Sequence, residues 1–224
     1  MPVTFPGESP EYRAARDRLL QMELELRRST EAVARARRAL PPGGVVPDGY
    51  VFAGVGPGGA PKKFALADLF AAGQGALAIY SYMFGPERAE PCPMCTHLLD
   101  GLDAAADHLA RRMSLCVVAE SPLPRLLAFA EQRGWRKLRL LSAAGSTYNR
   151  DYHGKTARGS DSVMLNVFRR DGDEVRHFWG SEMFYAKADE GQDDRGLDII
   201  SPVFNMLDVT PEGRGDFYTK LRYV

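Results

Sequence analysis

One stretch restricts the fold more than any other: a pair of cysteines set between an apolar run and a helical pattern. Ala76–Phe84 (Ala-Leu-Ala-Ile-Tyr-Ser-Tyr-Met-Phe) is nearly all apolar and has the length of a buried strand. Gly85-Pro86 stops it, and Glu87–Pro91 leads as a loop into Cys92-Pro-Met-Cys95. From Thr96 to Arg112, with Met113 just beyond, Leu98, Leu99, Leu102, Ala105, Ala106, Leu109 and Met113 recur on one helical face. Ser114–Ala119, which holds Cys116, reads as a second buried strand. Ser121, Pro122 and Pro124 open another helix that Gly134 ends, and Leu138–Leu141 is a third strand. Strand–dithiol–helix–strand–helix–strand predicts an α/β fold: parallel strands joined by right-handed crossovers.

The position of the dithiol suggests its chemistry. Cys92 falls at or just before the first helical turn, where unpaired N–H groups and the positive end of the helix dipole favour a thiolate. A lowered thiol pKa enlarges the nucleophilic fraction and improves the leaving group. Cys95, one turn further in, is spaced to attack a mixed disulfide on Cys92. Pro93 suits the first turn, where its missing N–H is no loss. The expected roles are Cys92 as nucleophile and Cys95 as resolving thiol.

Other readings of the same residues stay open. Two helix-start thiols can be structural and never turn over. A zinc site needs about four ligands, so Cys92, Cys95 and His97 would have to be joined by His108, His153 or His177. Covalent haem is disfavoured because Thr96 separates Cys95 from His97. Cys116, in an apolar strand, reads as a small core residue. His97 and Asp100, one turn apart, are either a proton relay or a solvated face. Around the thiols the candidate binding residues are Tyr82, Pro93, Trp179, Tyr148 and Asn149. Tyr80 and Tyr82 alternate with Ile79, Ser81 and Met83, giving one tyrosine face, and Asp151 and His153 share the long loop with Tyr148.

The rest of the chain frames this centre. Residues 1–9 read as disordered. From Pro10 to Leu40 a heptad stripe of Tyr12, Ala15, Leu19, Met22, Leu26, Ser29, Val33, Ala36 and Leu40 runs through Arg- and Glu-rich sequence. Such a helix needs a surface for its stripe, either its own domain or a second copy of the chain. Pro41–Gly44 ends it, giving an expected arm over residues 1–44 and a domain over 45–224. The 45–224 domain is expected to carry a C-terminal extension. Short strands at Tyr50–Ala53 and Lys63–Leu66 flank a Gly/Pro-rich turn, and Ala67–Ala72 reads as a short helix. Ser142–Ser162 is an irregular loop of the length that often carries function. Val163–Phe168 and Glu174–Trp179 form a hairpin about Asp171-Gly172. Lys187–Arg195 is a polar loop, Gly196–Leu207 a short helix in mixed sequence, and Asp208–Arg214 a turn.

Charge excludes some partners. Lys plus Arg is 29 and Asp plus Glu is 29, so nothing global attracts nucleic acid or an anionic membrane. No apolar run reaches the length of a membrane span, and no signal peptide is evident at the N-terminus. Three cysteines are too few for a disulfide scaffold. The expected setting is a reducing compartment, the cytoplasm. No cofactor is expected, and the expected partners are a disulfide or small-molecule thiol substrate and a second copy of the chain through the N-terminal helix.

Taken in order, Tyr50-Val-Phe, Leu66-Ala-Asp-Leu-Phe, Tyr82-Met-Phe-Gly-Pro, Cys92-Pro-Met-Cys, Gly145-Ser-Thr-Tyr-Asn, Val167-Phe-Arg-Arg-Asp-Gly and Leu207-Asp-Val-Thr-Pro-Glu-Gly-Arg resemble a bacterial thioredoxin-like family. Its members are labelled as a domain of unknown function (number eight hundred ninety-nine) or as predicted dithiol-disulfide oxidoreductases. The resemblance spans nearly the whole chain. It implies a thioredoxin-like central mixed sheet flanked by helices, with the dithiol at a helix start and an N-terminal amphipathic helical arm. The implied activity is thiol-disulfide exchange. A non-catalytic dimerisation module, a metal-binding protein and a thiol peroxidase are the alternatives. Thioredoxins carry a cis-proline before the strand that faces the dithiol; the matching slot here falls near Ser162-Val163, and neither residue is proline.

Overall fold

The computed structural model describes residues 3–223 and divides into two compact units, Met1–Pro42 and Gly43–Val224. The first unit is built on one long helix, α1 (Pro10–Arg38). Ser9 caps it, its Oγ accepting from the Tyr12 N–H at 3.2 Å, and Pro10 supplies the first turn. Glu11 near the start and Arg35, Arg37 and Arg38 near the end complement the helix dipole. No residue of α1 is buried, and Tyr12, Leu19, Met22, Leu26 and Val33 of its stripe are exposed.

The segment before α1 is more ordered than its Pro and Gly content suggests. Arg13 donates to the Val3 carbonyl and pairs with Glu8 at 3.5 Å and with Asp17 at 3.3 Å. The expectation of disorder therefore does not hold for residues 3–9; residues 1 and 2 lie outside the described residues.

The second unit is organised on a seven-stranded mixed sheet. Its strands are β1 (Val51–Val55), β2 (Pro61–Ala65), β3 (Ala76–Ser81), β4 (Ser114–Ala119), β5 (Arg139–Ser142), β6 (Met164–Asp171) and β7 (Glu174–Gly180). Across the sheet they run β2-β1-β5-β4-β3-β6-β7. β3, β4 and β5 are parallel, with Ile79 beside Cys116 and Val117 beside Leu140. β1 joins β5 antiparallel, and the β6–β7 hairpin adds antiparallel strands beside β3. The two most apolar strands, β3 and β4, are central because both their faces are covered.

Strand parity sorts the side chains into two cores. Ala78, Tyr80, Val117 and Ala119 pack with Leu98, Leu99, Leu126 and Trp135 from α2 (Pro93–Leu109), α3 (Leu123–Arg133) and the turn after it. Leu77, Ile79, Cys116 and Val118 pack on the other face with Phe52, Phe64, Leu69, Phe168 and Tyr148 of the short helix α4 (Tyr148–Asp151). This is a thioredoxin-like α/β architecture: a central mixed sheet, helices against it, and a dithiol where the chain passes from β3 into α2. A last short helix, α5 (Pro202–Leu207), follows the hairpin. Among the described residues, no helix is long and apolar enough to cross a membrane.

Boundaries differ from expectation for local reasons. α2 starts at Pro93, three residues before Thr96, because Cys92 is its N-cap. β3 ends at Ser81, although the apolar run continues to Phe84. Beyond it Tyr82 still donates to the Val118 carbonyl at 2.8 Å, but the Met83 carbonyl turns to accept from the Cys92 N–H at 3.1 Å. The short helix expected over Ala67–Ala72 is a 3₁₀ turn, Leu66–Leu69, held by Asp68, which accepts from the Ala65 N–H at 2.9 Å. Gly43 and Gly44 group with the sheet: the Gly44 carbonyl accepts from the His177 N–H at 3.0 Å. Gly134 closes α3 in the left-handed conformation (φ 85°) that a glycine adopts without steric cost.

Leu99 is wholly buried where α2 meets β3 and β4. Leu99→Ala should lower unfolding stability by roughly 2–5 kcal/mol through lost burial and a residual cavity. Chemical denaturation measures this; an unchanged midpoint would mean that α2 is not packed on the sheet as described.

Candidate functional site

Cys92 has extended backbone angles (φ −65°, ψ 123°) and stands at the N-cap of α2, followed by Pro93. The neutral thiol closes no cap hydrogen bond. Its anion is favoured first by a hydrogen bond from the Cys95 thiol, then by the backbone N–H groups of Cys95 and Met94 and the charge of Arg88. Burial opposes these terms, and the net result is a Cys92 pKa lowered to about 6. Cys95 is pushed well above the usual thiol range by the same hydrogen bond, by burial and by the negative charge on Cys92. The nearby Tyr80 hydroxyl pulls it the other way. At neutral pH the pair is therefore Cys92 thiolate and Cys95 thiol.

Beneath the helix start, Thr96 Oγ1 donates to the Cys92 carbonyl at 2.8 Å. Tyr82 Oη lies 2.8 Å from Thr96 Oγ1. With the Thr96 proton committed to the carbonyl, Tyr82 is the donor. Tyr82 thus fixes the first turn from below, and its ring packs against Phe84 and Trp135.

The loop before Cys92 is braced by Arg125 of α3. Its guanidinium stacks 4.3 Å from the Phe84 ring centre and donates to the carbonyls of Gly85 (3.3 Å), Ala89 (2.9 Å) and Arg88. Asp161 holds the loop from the other side, pairing with Arg88 at 3.2 Å and accepting from the Gly85 N–H at 2.8 Å. A side chain at Gly85 would put its Cβ 2.7 Å from that carboxylate.

A cavity of about 300 Å³ opens over the dithiol. Its near wall is Cys92, Met94, Cys95 and Leu98 of the helix start. Val163, just before β6, forms another side, near the Ser162-Val163 slot where the resemblance puts a proline. Tyr185 Oη sits beside this slot, 2.9 Å from Ser162 Oγ and within donating distance of the Val163 carbonyl (3.2 Å). The far wall comes from the segment after β7: Phe184, Asp198, Phe204, Arg214 and Tyr218. Arg214 ties this wall together. It meets Asp208 at 2.7 Å, Asp193 at 3.2 Å and Asp198 more closely still, and its guanidinium lies 5.2 Å from the Phe204 ring centre. The Arg214 and Arg195 hydrogen bonds hold Asp208 well below the usual carboxylate range. The C-terminal tail completes the wall, with Thr219 Oγ1 donating to Met94 Sδ at 3.2 Å.

The remaining candidates fall in different places. His97 lines the cavity; Ser201 Oγ lies 3.1 Å from its Nε2, Phe204 meets its ring edge-on, and burial lowers its pKa, so it is neutral at pH 7. Asp100 is no relay partner for it, because Arg133 holds both Asp100 oxygens at 2.6 and 2.9 Å and Trp135 Nε1 donates to one at 2.9 Å. Trp179 packs partly buried against the dithiol-side core but does not line the cavity.

Tyr148 and Asn149 are not at the dithiol. The loop after β5 turns to the opposite face of the sheet, where Tyr148 is enclosed by Tyr50, Phe52 and Tyr152. A large aromatic ring is stabilised more by that core than by a place at a rim. Among the described residues, no three His, Cys, Asp or Glu side chains are grouped to hold a metal ion. His177, for one, lies with its Nε2 3.0 Å from Asn166 Oδ1, beside Tyr152. The far wall is what the sequence reading missed. Its signal was present in the acids Asp193, Asp194, Asp198 and Asp208, interleaved with Arg195 and Arg214.

The family model described as "Bacterial protein of unknown function (DUF899)" matches residues 2–223. The chain belongs to that family. No curated protein matches it. Solved structures similar to it include Plasmodium yoelii thioredoxin peroxidase I, with a TM-score of 0.46 and 16% identity over 80% of this chain and 100% of that one. Mycobacterium bovis AhpC matches with a TM-score of 0.45 and 14% identity over 75% of this chain and 98% of that one. The pneumococcal exposed lipoprotein thioredoxin Etrx1 from Streptococcus pneumoniae matches with a TM-score of 0.40 and 12% identity over 66% and 96%.

Titrating thiolate absorbance against pH tests the electrostatics. The first thiolate should appear with a midpoint about 6. Cys95→Ala, which removes the main hydrogen bond to it, should raise that midpoint toward the ordinary thiol range. Cys92→Ser should abolish the low-pH transition. A wild-type midpoint near the ordinary thiol value would refute the assignment.

Proposed function

We propose that this chain is a thiol-disulfide oxidoreductase in which Cys92 attacks and Cys95 resolves. The observation that carries the reading is the placement of Cys92 at an extended helix N-cap, its anion favoured, on the wall of a cavity with Cys95 one turn deeper. The Cys92 thiolate attacks one sulfur of a substrate disulfide, forming a mixed disulfide and releasing one thiolate. Cys95 then displaces the second substrate thiol and closes the Cys92–Cys95 disulfide.

Magnitudes indicate what the low pKa is for. At pH 7 a thiol of pKa about 6 is roughly 90% ionised, against roughly 3% for an ordinary one, a gain of about thirtyfold. The lower intrinsic nucleophilicity of such a thiolate removes about tenfold or more of that. The net gain in attack is roughly two- to threefold. The larger benefit falls on steps in which Cys92 is the leaving group.

The substrate class proposed is a disulfide or small-molecule thiol that fits the cavity. Three unpaired thiols suit a reducing compartment, and the cytoplasm is the one proposed. The N-terminal segment, expected over residues 1–44 and ending at Pro42 as a compact unit, is proposed as an arm, and the rest as the catalytic domain with a C-terminal extension. The heptad stripe of α1 supports pairing with a second copy of the chain.

Two experiments test these readings. Cys92→Ser should reduce exchange with a chromogenic aromatic disulfide to the uncatalysed rate, while Cys95→Ser should accumulate a Cys92 mixed disulfide visible by intact mass. Undiminished exchange in Cys92→Ser would sink the proposal. Leu19→Glu combined with Leu26→Glu should convert a dimer to a monomer by light scattering; an unchanged mass would remove α1 from the interface.

A further inference from the structure

Tyr80 brings a buried phenol to the dithiol cavity. It lies near the end of β3, wholly buried, and lines the same cavity as Cys92 and Cys95. Its hydroxyl has no hydrogen-bond partner among the described residues. Tyr82, two residues on, has its hydroxyl bonded to Thr96. An unpaired buried hydroxyl is costly, and a phenylalanine would fill the same space without that cost. The Tyr80 side chain and the Cys95 sulfur share one core cluster and line one cavity, and each affects the ionisation of the other. A neutral thiol is a weak acceptor, whereas a thiolate is a strong one.

Resting on the thiol-exchange reading of this site, we propose that the Tyr80 hydroxyl is the hydrogen-bond donor that stabilises the Cys95 thiolate during resolution of the mixed disulfide. Before attack, the Cys95 thiol donates to the Cys92 thiolate and stays protonated. After attack, Cys92 is tied up in the mixed disulfide and no longer accepts that bond. Cys95 must then ionise while buried. The acids around the cavity are engaged elsewhere: Asp100 with Arg133 and Trp135, Asp193 and Asp198 with Arg214, and Asp194 with the Gly196 N–H, while His97 is neutral beside Ser201.

In this step the Cys95 sulfur attacks Cys92 Sγ, and the bond from Cys92 to the substrate sulfur breaks. The departing sulfur keeps the bonding electron pair and ends with the Cys95 proton, leaving as a thiol. Over both steps the dithiol loses two electrons and the substrate disulfide gains them. Tyr80 keeps its proton throughout, as burial holds its pKa well above the usual phenol range. The other titratable groups around the pair are Tyr82 just after β3, His97 from α2, Arg88 from the loop, Tyr218 from the tail, and Asp193, Asp194, Asp198 and Arg214 on the far wall.

Tyr80→Phe in the full chain, reacted with a chromogenic aromatic disulfide, separates the two steps. Release of the first aromatic thiolate reports attack by Cys92, and release of the second reports resolution by Cys95. In Tyr80→Phe the first release should stay within about twofold of wild type, because only the Cys95 bond is lost. The second should slow by about ten- to a hundredfold, the weight of a hydrogen bond to a charged group. The pH midpoint of the second release should rise. The thermal midpoint should hold or increase, since an unpaired hydroxyl has been removed. A second release at the wild-type rate, or one that slows together with a falling thermal midpoint, overturns the role of Tyr80. First release at the wild-type rate in Cys92→Ser would overturn the exchange reading itself, whatever Tyr80→Phe does.

Discussion

The site depends on one proton shared unequally between two sulfurs. Cys95 holds it and offers it to Cys92, and that hydrogen bond is the largest of the influences that lower one thiol and raise the other. The arrangement needs Cys92 outside the helix and Cys95 inside it. The chain meets that need with an extended N-cap followed by proline. The supports below are consistent with this priority. Tyr82 and Thr96 pin the Cys92 carbonyl, and Arg125 and Asp161 brace the loop that delivers Cys92 to the helix. None of these groups touches the sulfurs through its own functional atoms; they hold the angle at which the backbone N–H groups meet the thiolate.

The opposite side of the cavity is assembled by a different kind of force. The segment after β7 contributes few fully buried apolar side chains, Phe204 being the clearest. Its order rests on Arg214, whose guanidinium is mostly enclosed and serves three aspartates. Exposed ion pairs contribute little singly, but a guanidinium shared among several carboxylates and stacked on a ring constrains several turns at once. The cavity thus joins a rigid half, carried by sheet and helix, to a half held by charge.

How much of this was legible in the sequence follows from the range of the forces involved. The β3–α2–β4 unit could be read because its signals are local: apolar runs of strand length, a helical stripe, and Gly and Pro as stops. The position of Cys92 at a helix start followed from the same signals. The loop holding Tyr148 and Asn149 was legible as a loop, but no local signal says which face of the sheet it crosses. Tyr148 went to the face where Tyr50, Phe52 and Tyr152 complete an aromatic cluster. The choice between Tyr80 and Tyr82 hinged on two residues of register and on where Thr96 would fall. The Asp and Arg residues of the far wall were visible as a polar loop and a turn, and only the fold pairs Arg214 with Asp193.

The third cysteine gives strand parity a further meaning. Cys116 sits beside Ile79 in the β3–β4 register, on the face away from the dithiol, while its neighbour Val117 sits beside Tyr80. A slip of β4 by a single residue would set Cys116 next to Tyr80, on the dithiol's side of the sheet. The hydrogen-bonded ladder between these strands is therefore also an insulating partition. On the exchange proposed for Cys92 and Cys95, it would keep the third thiol away from the oxidised pair.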